Sequence, residues 1–206
     1  MSQQLYEKIT DALVKEGYVV IENALGQVLC SSLLDKAKKL KNFLRAGISA
    51  RKKISTTRRR DKIRWLDEDA GIQSEFLDLT QGLQEYLNRE LFMGLSYFES
   101  HFAIYDKGDF YETHYDAFKD SKNRVVTVVY YLNEAWDHKS GGELMIYNEE
   151  ENFVAKVLPE ADTLVVFLSE KFPHEVVKTK RKRYSIAGWF RVDIKEGVPL
   201  PLETLA

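Results

Sequence analysis

The 206-residue sequence predicts an α+β chain that is mainly β: a two-sheet jelly roll, or double-stranded β-helix, braced by N-terminal helices. Two observations lead there. Apolar stripes with a helical period occur only before residue 96, and beyond it the chain turns into short β-branched and aromatic runs cut by turn residues. The length suits one core. The expected layout is a single domain over 1–206, with helical support and a basic loop (46–64) in 1–95, the jelly roll in 96–192 and a tail in 193–206.

In chain order, Leu5, Ile9 and Leu13 recur every four positions across residues 3–16, an amphipathic helix that Gly17 stops at a C-cap. Tyr18-Val-Val-Ile21 reads as a strand. A second helix is expected over 27–44, with Leu29, Leu33, Ala37, Leu40 and Leu44 facing a core and its lysines facing water. Residues 46–64 carry Arg51, Lys52, Lys53, Arg58, Arg59, Arg60, Lys62 and Arg64 with no helical stripe, so they read as a basic surface loop. Ile63 and Trp65 start a strand. Asp67-Glu-Asp hands over to a third helix over 72–92, with Phe76, Leu79, Leu83, Leu87 and Leu91 on its inner face. The helices should lie on one side of the sheet that follows. Strands are then expected at 97–105, 111–116, 124–132, 143–147, 153–158 and 163–168. Asp106-Lys-Gly-Asp, Gly141-Gly and Pro159 to Asp162 turn the chain between them. The tail, with Pro199 and Pro201, reads as a loosely packed terminus.

Composition narrows the class. The formal charge of −2 gives no global argument for a nucleic-acid or membrane partner. One cysteine, Cys30, cannot close an intramolecular disulfide. No apolar run approaches the roughly 18 residues of a membrane helix, and Met-Ser-Gln-Gln-Leu-Tyr-Glu is no signal peptide, so a reducing cytoplasm is the expected setting.

The chemistry concentrates between His114 and Trp189. His114 and Asp116 are two apart, and residues i and i+2 of a strand project from one face, so imidazole and carboxylate can reach one ion. Alone, such a dyad also reads as a polar pair on a surface strand. His174 follows 60 residues later in another apolar, β-branched context. Two imidazoles and one carboxylate make the facial triad of non-heme Fe(II) oxygenases, with three positions left open. Arg183 comes nine residues after His174 and shares a strand face with Ser185, Ala187 and Trp189. Its planar guanidinium can hold a carboxylate bidentately, which suits the distal end of a 2-oxoglutarate whose keto-acid end chelates iron.

Taken together, Arg59-Arg-Asp-Lys-Ile-Arg-Trp65, Tyr111-Glu-Thr-His-Tyr-Asp116, Val126-Thr-Val-Val-Tyr-Tyr-Leu-Asn133, Trp136, Ser140-Gly-Gly-Glu-Leu144, His174-Glu-Val176, Arg183-Tyr-Ser-Ile186 and Trp189 resemble a known family. It is the Fe(II)/2-oxoglutarate dioxygenases, and within them the prolyl 4-hydroxylases, nearest to the oxygen-sensing members and their bacterial relatives. The resemblance implies Fe(II), 2-oxoglutarate and O2 as cofactors, with ascorbate as reductant. It implies that His114, Asp116 and His174 bind iron and that Arg183 and Tyr131 hold the distal carboxylate. Tyr105 would hydrogen-bond near the other end and Trp189 would wall the pocket. Loop 46–64 would cover a proline-containing polypeptide, with Arg58, Arg60, Asp61 and Trp65 as its substrate-side residues. Elongation factor Tu is the target that the bacterial resemblance offers, and a monomer is the favoured state. Collagen-type relatives carry Lys where this chain has Arg183. Glu112-Thr113 stand where oxygen-sensing members are more basic, so the rim differs.

Other readings attach to single residues. Tyr131 shares odd parity with Val125, Thr127 and Val129, which fits either the pocket or plain core. His101 shares parity with Tyr105 and reads as a hydrogen-bonded histidine beside the pocket rather than a ligand. His138 belongs to an exposed turn, Trp136 is a large apolar body, and Cys30 reads as a buried thiol. Two rival functions share the ligand set: a hydroxylase of a free amino acid or other small molecule, and a non-catalytic metal-bound jelly-roll module.

Overall fold

The structure is a computed structural model, in which residues 2–47, 57–66, 71–117 and 123–193 are described. Its helices are α1 (Ser2–Lys15), α2 (Gln27–Lys39) and α3 (Ile72–Leu91). Its strands are β1 (Tyr18–Ile21), β2 (Leu44–Arg45), β3 (Lys62–Trp65), β4 (Tyr97–Tyr105), β5 (Tyr111–His114), β6 (Arg124–Tyr131), β7 (Leu144–Tyr147), β8 (Phe153–Val157), β9 (Leu164–Leu168), β10 (His174–Val176) and β11 (Arg183–Arg191). They form two antiparallel sheets, one in the order β1-β9-β6-β11-β4-β3-β2 and one in the order β5-β10-β7-β8, the layers of a jelly roll.

Strand parity sorts the larger sheet's side chains into two cores. Even-numbered residues such as Phe102, Val126, Val128, Tyr130, Leu164, Val166, Ile186 and Phe190 pack against Ile9, Leu33, Phe76 and Leu87 of the helices. Odd-numbered Ala103, Tyr105, Val129, Tyr131, Val165 and Phe167 face Leu144, Ile146, Val157 and Val176 of the smaller sheet. Burial on both faces explains why β6 reads Arg-Val-Val-Thr-Val-Val-Tyr-Tyr with no polar alternation. The helices therefore cover one face only, as expected, and the space between the sheets is left to the odd-numbered residues.

Gly17 ends α1 as expected, at φ 78°, and a Cβ there would stand 2.9 Å from the Phe172 ring. The second helix is shorter than its stripe suggests. It stops at Lys39, where Leu40 turns extended at ψ 142° with its N–H on the Lys36 carbonyl. Asn42 then takes the left-handed region at φ 63°, which asparagine tolerates. Leu44, expected on the helix's inner face, instead pairs with Ile63 at the sheet edge and is 72% exposed. Open backbone groups on β3 outcompete another helical turn.

The expectations for Arg51, Lys52, Lys53, Asp67-Glu-Asp and the tail beyond Asp193 lie outside the described residues. No described helix is long and apolar enough to cross a membrane.

Candidate metal centre and its chamber

Antiparallel pairing of β10 with β5 sets His174 directly opposite His114, which closes the separation in sequence. A one-residue slip would turn one imidazole to the other face. Asp116 lies two residues beyond the end of β5 rather than within a strand, a correction to the strand-based spacing argument. The chain bends there and still brings the carboxylate to the rings. His114 Nε2 stands 3.6 Å from Asp116 Oδ1, and His174 Nε2 stands 3.4 Å from Asp116 Oδ2. The three ligating atoms lie within 4.8 Å of one another.

Hydrogen bonds aim these groups. The Nδ1–H of His114 donates to the Glu112 carbonyl at 2.8 Å, and that of His174 to the Phe172 carbonyl at 3.0 Å, so each Nε2 lone pair faces the carboxylate. An acceptor-only cluster of this kind is repulsive without a cation at its centre, so the donor set fits a metal such as Fe(II). Thr127 Oγ1 donates to Asp116 Oδ2 at 2.9 Å, and Ser169 Oγ lies 2.8 Å from Thr127. Burial works against the Asp116 carboxylate, but His174, His114 and Arg124 outweigh it and hold its pKa well below the usual range. Burial, only partly opposed by Asp116, brings the His174 pKa down to about 4. Ionised carboxylate and neutral imidazole are the ligand forms a metal needs. Tyr111 stacks on His114 with ring centroids 3.5 Å apart and fixes the ring from outside.

A chamber of about 860 Å³ opens between the sheets at this cluster. At one end stands Arg183, 2% exposed, its Nε donating to the Gly142 carbonyl at 2.9 Å and Nη1 to Ser185 Oγ at 3.2 Å. The rings of Tyr105 and Tyr131 flank it, each centroid 4.9 Å from Cζ. Among the described residues no carboxylate pairs with it. A buried cation without a counterion calls for an anion from outside. Burial raises the Tyr131 and Tyr105 pKa values, so both phenols keep their protons, and the buried Tyr131 Oη has no partner. These features fit the distal carboxylate of 2-oxoglutarate. Gly142, at φ 75°, leaves room for the guanidinium stem, since a Cβ there would meet Arg183 Cδ at 3.2 Å.

The loop residues divide. Asp61 lines the chamber, but its buried carboxylate takes Arg59 Nε at 2.6 Å and Nη2 at 2.9 Å, so it neutralises Arg59 rather than facing a ligand. Arg59 also sits over Tyr111, 4.5 Å from the ring centroid. Arg58 is exposed and pairs with Glu112, Arg60 lies over Phe110, and Trp65 stands at the chamber edge, 46% exposed. Trp189 lines the chamber under Arg124, whose Cζ is 3.6 Å from the ring centroid. His101 is buried on the chamber wall between Trp65 and Trp189. Cys30 is buried with a raised pKa, caused first by burial, and His138 is exposed. Trp136 is buried with its Nε1 on the Gly141 carbonyl.

Sequence reasoning did not single out Arg59, Tyr111, Thr127, Ser185 or the Glu99–Arg124–Arg191 cluster as site residues. Parity already placed Thr127 and Ser185 on the inner face; their partners depend on contacts across the fold.

A sequence model described as the 2OG-Fe(II) oxygenase superfamily matches residues 100–191. Human prolyl hydroxylase EGLN3 is 32% identical over 199 residues, covering 89% of this chain and 82% of that protein. The crystal structure of a Pseudomonas putida prolyl-4-hydroxylase is similar at 34% identity and a TM-score of 0.84, covering 91% of this chain and 99% of that one. A Trichoplax adhaerens prolyl hydroxylase, solved in complex with a peptide fragment of the hypoxia inducible factor oxygen degradation domain, is similar at 28% identity and a TM-score of 0.83, covering 92% and 90%.

Proposed function

Because this chain belongs to the 2OG-Fe(II) oxygenases, among the prolyl hydroxylases, we propose that it hydroxylates a proline within a polypeptide, with His114, Asp116 and His174 as the iron ligands. The observation that carries this reading is the pairing of an acceptor-only His-Asp-His cluster with a buried Arg183 that has no carboxylate partner among the described residues, on one chamber. When bound, Fe(II) with 2-oxoglutarate and O2 supplies oxidative decarboxylation to succinate and CO2, coupled to oxygen insertion into a C–H bond. The chain's part is placement. Arg183 would grip the distal carboxylate of 2-oxoglutarate with its fork, the Tyr131 phenol would donate to the same group, and Tyr105 would hydrogen-bond near the other end. Thr127 holds Asp116, and the carbonyls of Glu112 and Phe172 hold the two imidazoles. Val129, Leu144 and Val176 line the chamber with hydrocarbon that offers no competing hydrogen bonds.

Residues 1–206 act as one domain in this reading, monomeric and cytoplasmic, with ascorbate as reductant. Loop 46–64 covers the polypeptide. The test is mass spectrometry of host-cell proteins, elongation factor Tu first, after incubation with enzyme, Fe(II), 2-oxoglutarate and O2. A +16 Da proline matched by succinate supports the proposal. Oxygen appearing on free amino acids or other small molecules, with no modified proline in protein, would replace it with the small-molecule hydroxylase.

A further inference from the structure

Among the described residues, five buried side-chain atoms have no hydrogen-bond partner: Ser100 Oγ, His101 Nδ1, Tyr131 Oη, Trp189 Nε1 and Arg191 Nε. An unpaired buried polar group costs about 1–3 kcal/mol, so a cluster of them implies a partner that arrives from outside. Tyr131 stands beside Arg183 and belongs to the carboxylate pocket. Ser100 is an even-numbered position of β4, on the side facing the helices. The other three are neighbours on the chamber wall. His101 pairs in register with Ala187 of β11, Trp189 and Arg191 follow at the next two inward positions, and the His101 and Trp189 rings stand 5.4 Å apart.

A ligand held by Arg183 does not reach along this row. The guanidinium bonds Ser185, so the His101, Trp189 and Arg191 rows lie two, four and six residues further, or about 7, 13 and 20 Å at strand rise. The terminal carbons of a five-carbon dicarboxylate, four C–C bonds apart, are only about 5 Å apart. What lies against Trp189 and Arg191 therefore enters from the chamber mouth. It must also bring acceptors, because indole and guanidinium N–H groups can only donate. Burial, with Arg59 and Arg124, brings the His101 pKa down to about 3, so this ring is neutral and donates from Nδ1 in that tautomer. An extended polypeptide presents same-side carbonyl oxygens about every 7 Å, the two-residue repeat of these donors.

We propose that His101, Trp189 and Arg191 form a donor row that takes main-chain carbonyl oxygens of the polypeptide substrate, laid extended along the distal half of β11. This rests on the prolyl hydroxylase reading and deepens it. Carbonyls are common to every residue, so the row sets the direction and register of the segment rather than its side chains. Glu99 steadies it: its carboxylate takes Arg191 Nη1 at 2.9 Å and Arg124 Nη2 at 2.9 Å, and Arg124 covers the Trp189 ring.

The test uses the full-length enzyme with Fe(II), 2-oxoglutarate and O2 on a pool of synthetic peptides with one central proline, read as +16 Da. The best peptide then serves for kinetics. His101→Phe keeps a ring and removes both nitrogens, and it should raise the peptide KM about 2- to 10-fold, the loss of one neutral hydrogen bond. His101→Gln should restore most of it. The KM for 2-oxoglutarate and its peptide-free turnover should stay at the parent's values. Peptides with single carbonyls near the proline replaced by alkene isosteres supply a second arm. One of them should bind the parent more weakly and be insensitive to His101→Phe. If His101→Phe does not fold, a 2- to 10-fold KM rise for at least one isostere on the parent still supports the row. An unchanged peptide KM in both variants, a rise in the 2-oxoglutarate KM instead, or isosteres that all behave like the parent peptide would overturn it. A parent that consumes 2-oxoglutarate but modifies no peptide would overturn the polypeptide reading itself, and the row with it.

Discussion

Thr127→Val should weaken iron binding by one to two orders of magnitude without touching a metal ligand. Thr127 Oγ1 has one proton and gives it to Asp116 Oδ2 at 2.9 Å, so Ser169 must donate to Thr127. Valine matches the shape and removes both bonds inside the protein. A hydrogen bond to an ionised group is worth about 1.5–3 kcal/mol, or about 10- to 150-fold in an equilibrium constant. Loss of an outer partner of a ligand independently suggests about 10–100-fold in metal affinity. The two figures agree because they describe one event: Asp116 becomes free to rotate away from His114 and His174. The assay is 2-oxoglutarate turnover titrated with Fe(II), alongside direct metal titration of the apoprotein with the fold checked by melting. Thr127→Ser keeps the hydroxyl and should stay close to the parent. Equal iron affinity in parent and Thr127→Val, both folded, would mean that Asp116 is not aimed by this bond, or is not a ligand.

Arg183→Lys keeps the charge and loses the fork, so the KM for 2-oxoglutarate should rise while Fe(II) affinity holds, and Arg183→Ala should raise it further; steady-state kinetics at fixed iron decides. Asp61→Asn strands the buried Arg59 charge and should destabilise the fold by about 3–5 kcal/mol, seen as a lower Tm, with Arg59→Met/Asp61→Leu recovering much of it. His101 is neutral in the fold with a pKa of about 3, below the ordinary 6.5, so the unfolded chain binds the extra proton between those values. Stability should therefore fall as pH drops from about 6.5 towards 3, by up to about 1.4 kcal/mol per pH unit from this group, and His101→Gln should flatten that slope in pH-dependent melting.

Much of the candidate site was legible before any coordinates. Residue type and spacing singled out His114, Asp116, His174 and Arg183. The odd parity that Ser185, Ala187 and Trp189 share with Arg183 matches the face turned to the chamber, because side-chain direction in a strand repeats every two residues whatever lies around it, whereas the parity of Tyr131 left pocket and core open and only the fold sets its ring beside Arg183. Helical periodicity likewise placed Leu29, Leu33 and Ala37 in the core. These are local properties, carried by the chain itself.

Only the tertiary structure decided which groups complete one another. The stripe that includes Leu44 predicts more helix, but the open edge of β3 offered its backbone better partners. Asp116 reaches the centre by a bend past the end of β5, which no strand spacing contains. Asp61 reads in sequence as a substrate-side residue of the basic loop, but the fold closes Arg59 on it, and parity puts Thr127 on the inner face while only the fold sets Asp116 beside it. The vacant donors of His101, Trp189 and Arg191 are the extreme case, since a missing partner can be seen only when every neighbour from four strands is in place. Composition and period determine which face a side chain takes; pairing between segments distant in sequence determines what it meets there.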